Sequence, residues 1–298
     1  MTGLLNLNKP RGITSHDAVN RIRRIFHTKQ VGHTGTLDPM AEGVLPILVG
    51  SAVKTAELFA SDEKSYLVGL TLGITTDTED ITGNILTTSD LLPTFEQVES
   101  AVNSFMGDYD QIPPMYAAIK VGGKKLYEYA RQGIEIEREA RRIQIMECSV
   151  QKGESPRNYY ISVRCSKGAY MRTLCADIGK KLGCGAVMSS LTRTAAGVCK
   201  IENSLTLEAL EQSAANGTLS SHLLSPEDMF CDWPAVTLPA FYAKLAKNGA
   251  EIYIKKAALP DFPLGQYVRM YDEFNCFFAL GLTGDYPQGK AVKVKKFL

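Results

Sequence analysis

Apolar positions recur at helical spacing over Thr14–Phe26: Ala18, Val19, Ile22, Ile25 and Phe26 share one face, while Arg21 and Arg24 lie on the other. Thr14 or Ser15 supplies the cap for this helix. Val44–Val49 is a short apolar run and reads as a buried strand. Ser65–Ile74 alternates, with Tyr66, Val68, Leu70 and Leu72 on one side of a strand, and runs into the polar stretch Thr75–Gly83. Thr94-x-x-Gln97 is a capping-box pattern that opens a helix. Lys124–Gln132 reads as a short helix stopped by Gly133, Tyr159–Cys165 as a strand, and Ala169–Leu182 as a helix ended by Gly183. Strands and helices that do not alternate regularly predict an α+β fold with a mixed or antiparallel sheet. From about Asn203 to Leu238 the chain is acidic and helical, and Trp233-Pro234 marks a joint. Beyond it, Glu251–Ile254, Gln266–Tyr271, Phe277–Gly281 and Ala291–Phe297 read as short strands split by Gly/Pro turns, a small β-rich domain. The expected division is therefore 1–235 and 236–298, without internal repeats.

Length and composition fit this picture. A chain of 298 residues, 45% hydrophobic, buries roughly three quarters of its unfolded surface and needs no disulfide or metal to fold. No apolar run is long enough to span a membrane, and the N-terminus lacks the basic-then-apolar pattern of a signal peptide. Seven cysteines, an odd number without C-x-x-C spacing, predict reduced, mostly buried thiols and a cytoplasmic protein. The four histidines show no metal-ligand spacing.

Charge changes the picture more. The formal net charge is +1, which taken as an average speaks against a nucleic-acid binder. The charges are segregated, however. Residues 1–33 carry six Lys/Arg against one acid, and residues 152–193 eight against two. Residues 77–111 hold eight acids and no Lys or Arg. Such blocks are able to build one positive face on a neutral molecule.

The most unusual segment is Val31–Leu45, a loop shaped by glycines around Asp38-Pro39. Asp38 is held extended by the following proline, a fitting place for a functional carboxylate; turn capping explains an Asp-Pro pair equally well. Asp38 and Glu42 as a glycosidase pair, or His33 and Asp38 as metal ligands, lack further support, and no phosphate-binding glycine motif is present.

The run Gly32-His-Thr-Gly-Thr-Leu-Asp-Pro-Met-Ala-Glu-Gly-Val-Leu-Pro46 closely resembles the central motif of the TruB family of bacterial tRNA pseudouridine synthases. Further segments match that family in order: Leu7-Asn-Lys9-Pro10-Arg-Gly-Ile-Thr-Ser15, Lys64-Ser-Tyr66, Gly73-Ile-Thr-Thr-Asp-Thr-Glu-Asp80, Ile112–Lys120, Leu126–Gly133, Ser166-Lys-Gly-Ala-Tyr-Met-Arg172 and Leu191-Thr-Arg193. The resemblance covers about residues 4–200; in the tail, Val268–Tyr271 and Phe278–Gly281 are similar, less specifically, to the family's PUA-like C-terminal domain.

The resemblance implies the pseudouridine synthase fold, with an RNA-binding arm inserted at about 107–145 and a PUA-like RNA-binding domain over 236–298. It implies isomerisation of uridine 55 in the tRNA T-loop on a flipped-out base, without a cofactor or metal. By position, Asp38 is the catalytic aspartate, Arg172 its paired arginine and Tyr66 the stacking tyrosine that assists proton removal at C5. Leu191 lines the base pocket, and His33 helps displace the base. Lys9, Lys120 and Arg131 contact RNA, while Pro10, Gly35 and Asp80 support the site. Partners implied are the tRNA T-loop and acceptor arm, for a monomer without an obligatory protein partner. The competing readings are a guide-RNA-dependent synthase, against which the insertion and short tail argue, and a tRNA-binding chaperone, which the retained Asp38, Tyr66 and Arg172 disfavour.

Overall fold

A computed structural model describes residues 1–59 and 63–298. Ten strands form one sheet: β1 (Gly3–Lys9), β2 (Val31–His33), β3 (Glu42–Val49), β4 (Glu63–Leu72), β5 (Gly107–Gln111), β6 (Arg141–Lys152), β7 (Asn158–Ser166), β8 (Ala186–Ala196), β9 (Cys199–Lys200) and β10 (Leu223–Leu224). The order is β10-β1-β3-β8-β4-β7-β6-β5, with β2 added on β3 and β9 on β8. Only the β3–β8 contact is parallel, at Glu42–Thr192 and Gly43–Arg193. The sheet is thus mixed and largely antiparallel, as the sequence pattern predicts.

Helices α1 (Ser15–Ile25), α2 (Phe95–Asn103) and α3 (Met171–Leu182) pack on the sheet. Their apolar stripes, including Val19, Ile22, Val98, Val102, Leu174 and Ile178, join Val68, Leu70 and Leu72 of β4 in one core. Fully burying a side chain such as Ile22 is worth about 1.5–3 kcal/mol. Thr14 rather than Ser15 caps α1, in a reciprocal capping box with Asp17. That choice leaves the Ser15 hydroxyl available for the loop that carries Asp38. Thr94 and Gln97 form the expected box on α2.

Helix α3 starts two residues later than its apolar pattern predicts. The buried Gln111 amide clamps Tyr170 at both backbone groups: Tyr170 N donates to Gln111 Oε1 at 2.8 Å, and Gln111 Nε2 donates to Tyr170 O at 2.9 Å. Arg172 is thereby fixed in the first turn. The helix expected over 124–132 shrinks to Leu126–Ala130. Gly122 and Gly123, both at positive φ, instead turn Lys124–Lys125 back to pair with Lys120–Val121. Because β5 and β6 are members of the main sheet, the part of the expected insertion that stands off it is residues 112–140.

Over 203–238 only Leu207–Ala215 and the single turn Pro226–Met229 are α-helical. The tail holds a separate five-stranded sheet: Ala235–Thr237, Tyr267–Tyr271, Phe277–Tyr286, Gly289–Phe297 and Ile252–Tyr253, in that spatial order. It also contains a helix, Ala240–Lys247, that the strand-like texture of the tail conceals. This unit has its own core, including Val236, Ala246, Val268, Met270 and Val292. A further apolar cluster of Leu4, Leu48, Phe230 and Leu280 joins it to the main sheet. All seven cysteines are free thiols, four of them buried.

Candidate active site

The loop between β2 and β3 carries Asp38 and is held from three directions. The Ser15 hydroxyl donates to Leu37 O at 2.9 Å and accepts from Leu37 N at 2.8 Å. Gly12 N donates to Pro39 O at 2.7 Å. From below, Arg193 of β8 donates through Nε to Val44 O at 2.6 Å, through Nη2 to Gly35 O at 3.1 Å and through Nη1 to Thr36 O at 3.4 Å. Arg193 is 1% exposed. A buried guanidinium is costly unless its donors are used, and here they fasten the loop to the sheet.

The loop walls a cavity of about 280 Å³ whose lining includes Asp38, Tyr66, Tyr116, Arg172, Leu191 and Arg193. Arg172 Nε lies 3.0 Å from Asp38 Oδ2, with side-chain exposures of 6% and 38%. The remaining donors of Arg172 are also placed: Nη1 on Thr78 O at 3.3 Å and Nη2 on Tyr116 O at 2.9 Å. The guanidinium is therefore aimed by backbone from two other segments, and it in turn aims the carboxylate.

Behind Thr78 stands Asp80. Its carboxylate accepts from Thr78 Oγ1 at 2.9 Å, from Thr82 N at 2.9 Å and from Thr82 Oγ1 at 2.6 Å. Glu79 lies within the matched segment Gly73–Asp80 but is not assigned a role by it. It sits at φ +62°, uncommon for a non-glycine residue, and accepts from Thr173 Oγ1 at 2.7 Å. Burial pushes its carboxyl pKa up. Thr173 neighbours Arg172 in α3, so Glu79 braces the same turn of helix.

Register places Tyr66 and Arg193 opposite each other on β4 and β8, with Leu191 opposite Val68. Tyr66 is buried at the cavity wall, and that burial pushes its phenol up to about 12, against which the facing Arg193 charge works. The phenol is therefore neutral at physiological pH. Gly35 and Pro10 support the site through backbone oxygens, Gly35 O to Arg193 and Pro10 O to Lys9.

Lys9 corrects the expectation of an RNA contact. It is fully buried, with Nζ donating to Pro10 O and Ile13 O, each at 2.9 Å, so it braces the turn before α1. Burial lowers its pKa from 10.5 to about 8, with Asp38 and Glu42 opposing. Since the folded form loses its proton earlier, the burial cost is full below pH 8 and is relieved as pH rises. Relative to Lys9→Met, the wild type should gain about 3 kcal/mol of unfolding free energy between the folded pKa of about 8 and the unfolded 10.5. Denaturant titration of both proteins at pH 7.5 and 10.5 checks this; a constant difference would contradict it.

His33 lies on β2 with Nδ1 buried and without a hydrogen-bond partner, and burial lowers its pKa, keeping the ring neutral. It is not among the cavity-lining residues. Lys120 and Arg131 are exposed on the off-sheet arm, Arg131 over the Tyr127 ring at 5.3 Å from its centroid. The arm reaches the site through Tyr116.

Two residues that composition could not single out complete the construction, Arg193 and Gly43. Gly43 has φ +96°, and a Cβ there would lie 2.4 Å from Arg193 O, across the parallel contact that positions Arg193. Gly43→Ala should destabilise the protein by at least about 2 kcal/mol, lowering Tm by about 3 °C or more in a thermal melt. An unchanged Tm would show that the β3–β8 contact yields easily.

Among the described residues no group of three or more His, Cys, Asp or Glu is arranged to hold a metal ion, and no helix is long and apolar enough to cross a membrane.

Comparison with known proteins accounts for the whole chain. Residues 23–171 match the TruB family pseudouridylate synthase N-terminal domain, and residues 172–230 match the tRNA pseudouridylate synthase B C-terminal domain. The chain is 44% identical over 303 residues to the tRNA pseudouridine synthase B of Alkaliphilus oremlandii, covering 100% of this chain and 99% of that one. It is 41% identical over 300 residues to that of Clostridium novyi, covering 100% of both. Among solved structures, a chain of a Cbf5–Nop10–Gar1 complex superposes with a TM-score of 0.73 at 26% identity, covering 99% of this chain and 84% of that one. With sequence similarity running the full length and the fold shared, the chain belongs to the TruB family of pseudouridylate synthases.

Proposed function

We propose that this protein is a stand-alone tRNA pseudouridine synthase, an isomerase that converts uridine 55 of the T-loop to pseudouridine. The observation that carries the reading is the Asp38–Arg172 pair, 3.0 Å apart, in a cavity walled by Tyr66 and Leu191. The reaction breaks the N1–C1′ bond, turns the uracil, joins C5 to C1′, removes the C5 proton and returns a proton to N1. Nothing is oxidised or transferred to another molecule, so the demands fall on the protein's own groups.

A uridine must leave its stack to enter, and an aromatic ring beside an aliphatic one makes a platform for it. Asp38 supplies the nucleophile or base at the sugar–base junction, and Arg172 holds its carboxylate in place through the 3.0 Å ion pair. Tyr66 stacks on the base and assists transfer of the C5 proton. Tyr66→Phe keeps the platform and deletes the hydroxyl. It should lower kcat by about 10²-fold with little change in KM; a matching rise in KM alone would assign Tyr66 to binding.

Around this centre, we assign the arm at 112–140, with Lys120 and Arg131, to the RNA backbone, and His33 to the entry side of the base. The unit over 236–298 is assigned to the acceptor arm. The protein is read as a cytoplasmic monomer needing no protein partner. Full-length likeness to enzymes named tRNA pseudouridine synthase B favours this reading over a guide-RNA-dependent synthase. Tritium release from a transcript labelled at C5 of its uridines tests it: the bare transcript should release label, and a transcript with cytidine at position 55 should not.

A further inference from the structure

A second concavity opens beside the catalytic one. It is lined by Thr34, Lys64, Arg141, Arg142, Ile143 and Lys167, together with Gly168, and has a volume of about 420 Å³. Lys64 and Gly168 line both concavities, so they form a common wall between the catalytic cavity and this groove. Four cationic side chains thus converge immediately outside the place where Asp38 stands. They come from three separate segments: β4, the start of β6, and the turn between β7 and α3. The β6–β7 register, which pairs Ile145 with Cys165, brings the start of β6 alongside that turn. These segments are far apart in the chain, and folding merges their charges.

The rest of the cavity lining is differently made. Tyr116, Ala117, Ala118, Met188 and Leu191 are uncharged, and the Arg172 guanidinium is already engaged by Asp38, Thr78 O and Tyr116 O. A uridine whose base and ribose occupy the cavity remains joined to its neighbours through two phosphodiesters, which must leave by the rim. Asp38 repels them from inside. The nearest charge-complementary exit is the groove.

We propose that this groove is a phosphodiester subsite, in which Arg141 and Lys167 hold a backbone phosphate adjoining the target nucleotide; the proposal rests on the reading of the cavity as a uridine site. Beside them lies Arg142, paired with Asp108 at 3.4 Å and Asp110 at 4.0 Å. Holding that phosphate fixes the register of the strand so that one nucleotide, rather than its neighbour, is presented to Asp38. The groove recognises charge and not base, and its hold weakens with added salt.

The test uses T-arm hairpin RNAs in which the phosphate 5′ or 3′ of the target uridine is replaced, one at a time, by an uncharged methylphosphonate. At one of the two positions the replacement should weaken binding to the wild type about tenfold. For Arg141→Gln and Lys167→Gln, both exposed positions, the same replacement should cost less than about threefold, because the phosphate's partner is already gone. The salt slope of binding should fall by about 0.7 for each phosphate no longer neutralised. Equal penalties in wild type and both variants, or no penalty in the wild type at either position, would overturn the subsite. Binding carries this test, so it stands apart from activity: an unmodified hairpin that binds but yields no pseudouridine sinks the proposed function instead.

Discussion

Asp38→Ala should abolish pseudouridine formation, with kcat reduced by at least about 10⁴-fold, or roughly 5.5 kcal/mol of barrier. No neighbouring group is placed to take over. Glu42 begins β3 and is exposed, Asp80 is consumed by Thr78 and Thr82, and Glu79 faces Thr173. Binding of tRNA should change little, since removing a carboxylate from the path of a polyanion costs no attraction. The loop should keep its position, because it is pinned by Ser15, Gly12 and Arg193 through backbone groups, and the stability cost is confined to the Arg172 Nε–H that loses its acceptor. Single-turnover rates and filter binding measure the two effects separately. Turnover retained within tenfold would remove Asp38 from the chemistry, and a large drop in affinity would make its role one of binding.

The second large effect belongs to Arg172→Lys. The charge survives, yet only one ammonium replaces three directed donors. Arg172 holds Asp38 Oδ2 at 3.0 Å while also meeting Thr78 O and Tyr116 O, carbonyls from two separate segments. A lysine able to reach one leaves the others buried without a donor. The expected fall is about 10³-fold in kcat, roughly 4 kcal/mol, with KM changed by a few-fold at most. Arg172→Lys retaining more than about a tenth of wild-type kcat would mean that charge alone suffices and the fork geometry is dispensable.

Much of this site is legible in the sequence because its residues sit in local motifs. The helix over 14–26, the strand carrying Tyr66, and the helix carrying Arg172 follow from periodicity and caps. The Asp38–Arg172 pair follows from family resemblance and is realised by a helix start that only Gln111, 59 residues away from Tyr170, explains. What the sequence conceals is non-local. Lys9 reads as a surface cation because lysine usually is one; only the packing of β1 against β3 puts its stem in the interior. Arg193 looks like one member of a basic block, and its burial beneath the Asp38 loop depends on the parallel β3–β8 contact. β6 is hard to see in the sequence because a bulge between Ile145 and Glu147 breaks its alternation.

The net charge of +1 is the clearest case of an average misleading. Lys64, Arg141, Arg142 and Lys167 share one groove, whereas the acids of 201–243 belong to a stretch that contributes nothing to its lining. A neutral sum is compatible with a local positive face.

The central claim is tested most directly by nucleotide-resolved mapping of pseudouridine in a bare, unmodified tRNA transcript incubated with the purified protein alone. The account predicts pseudouridine at position 55 with the wild type and none with Asp38→Ala. A transcript bound by the protein but left with uridine at position 55 would contradict it.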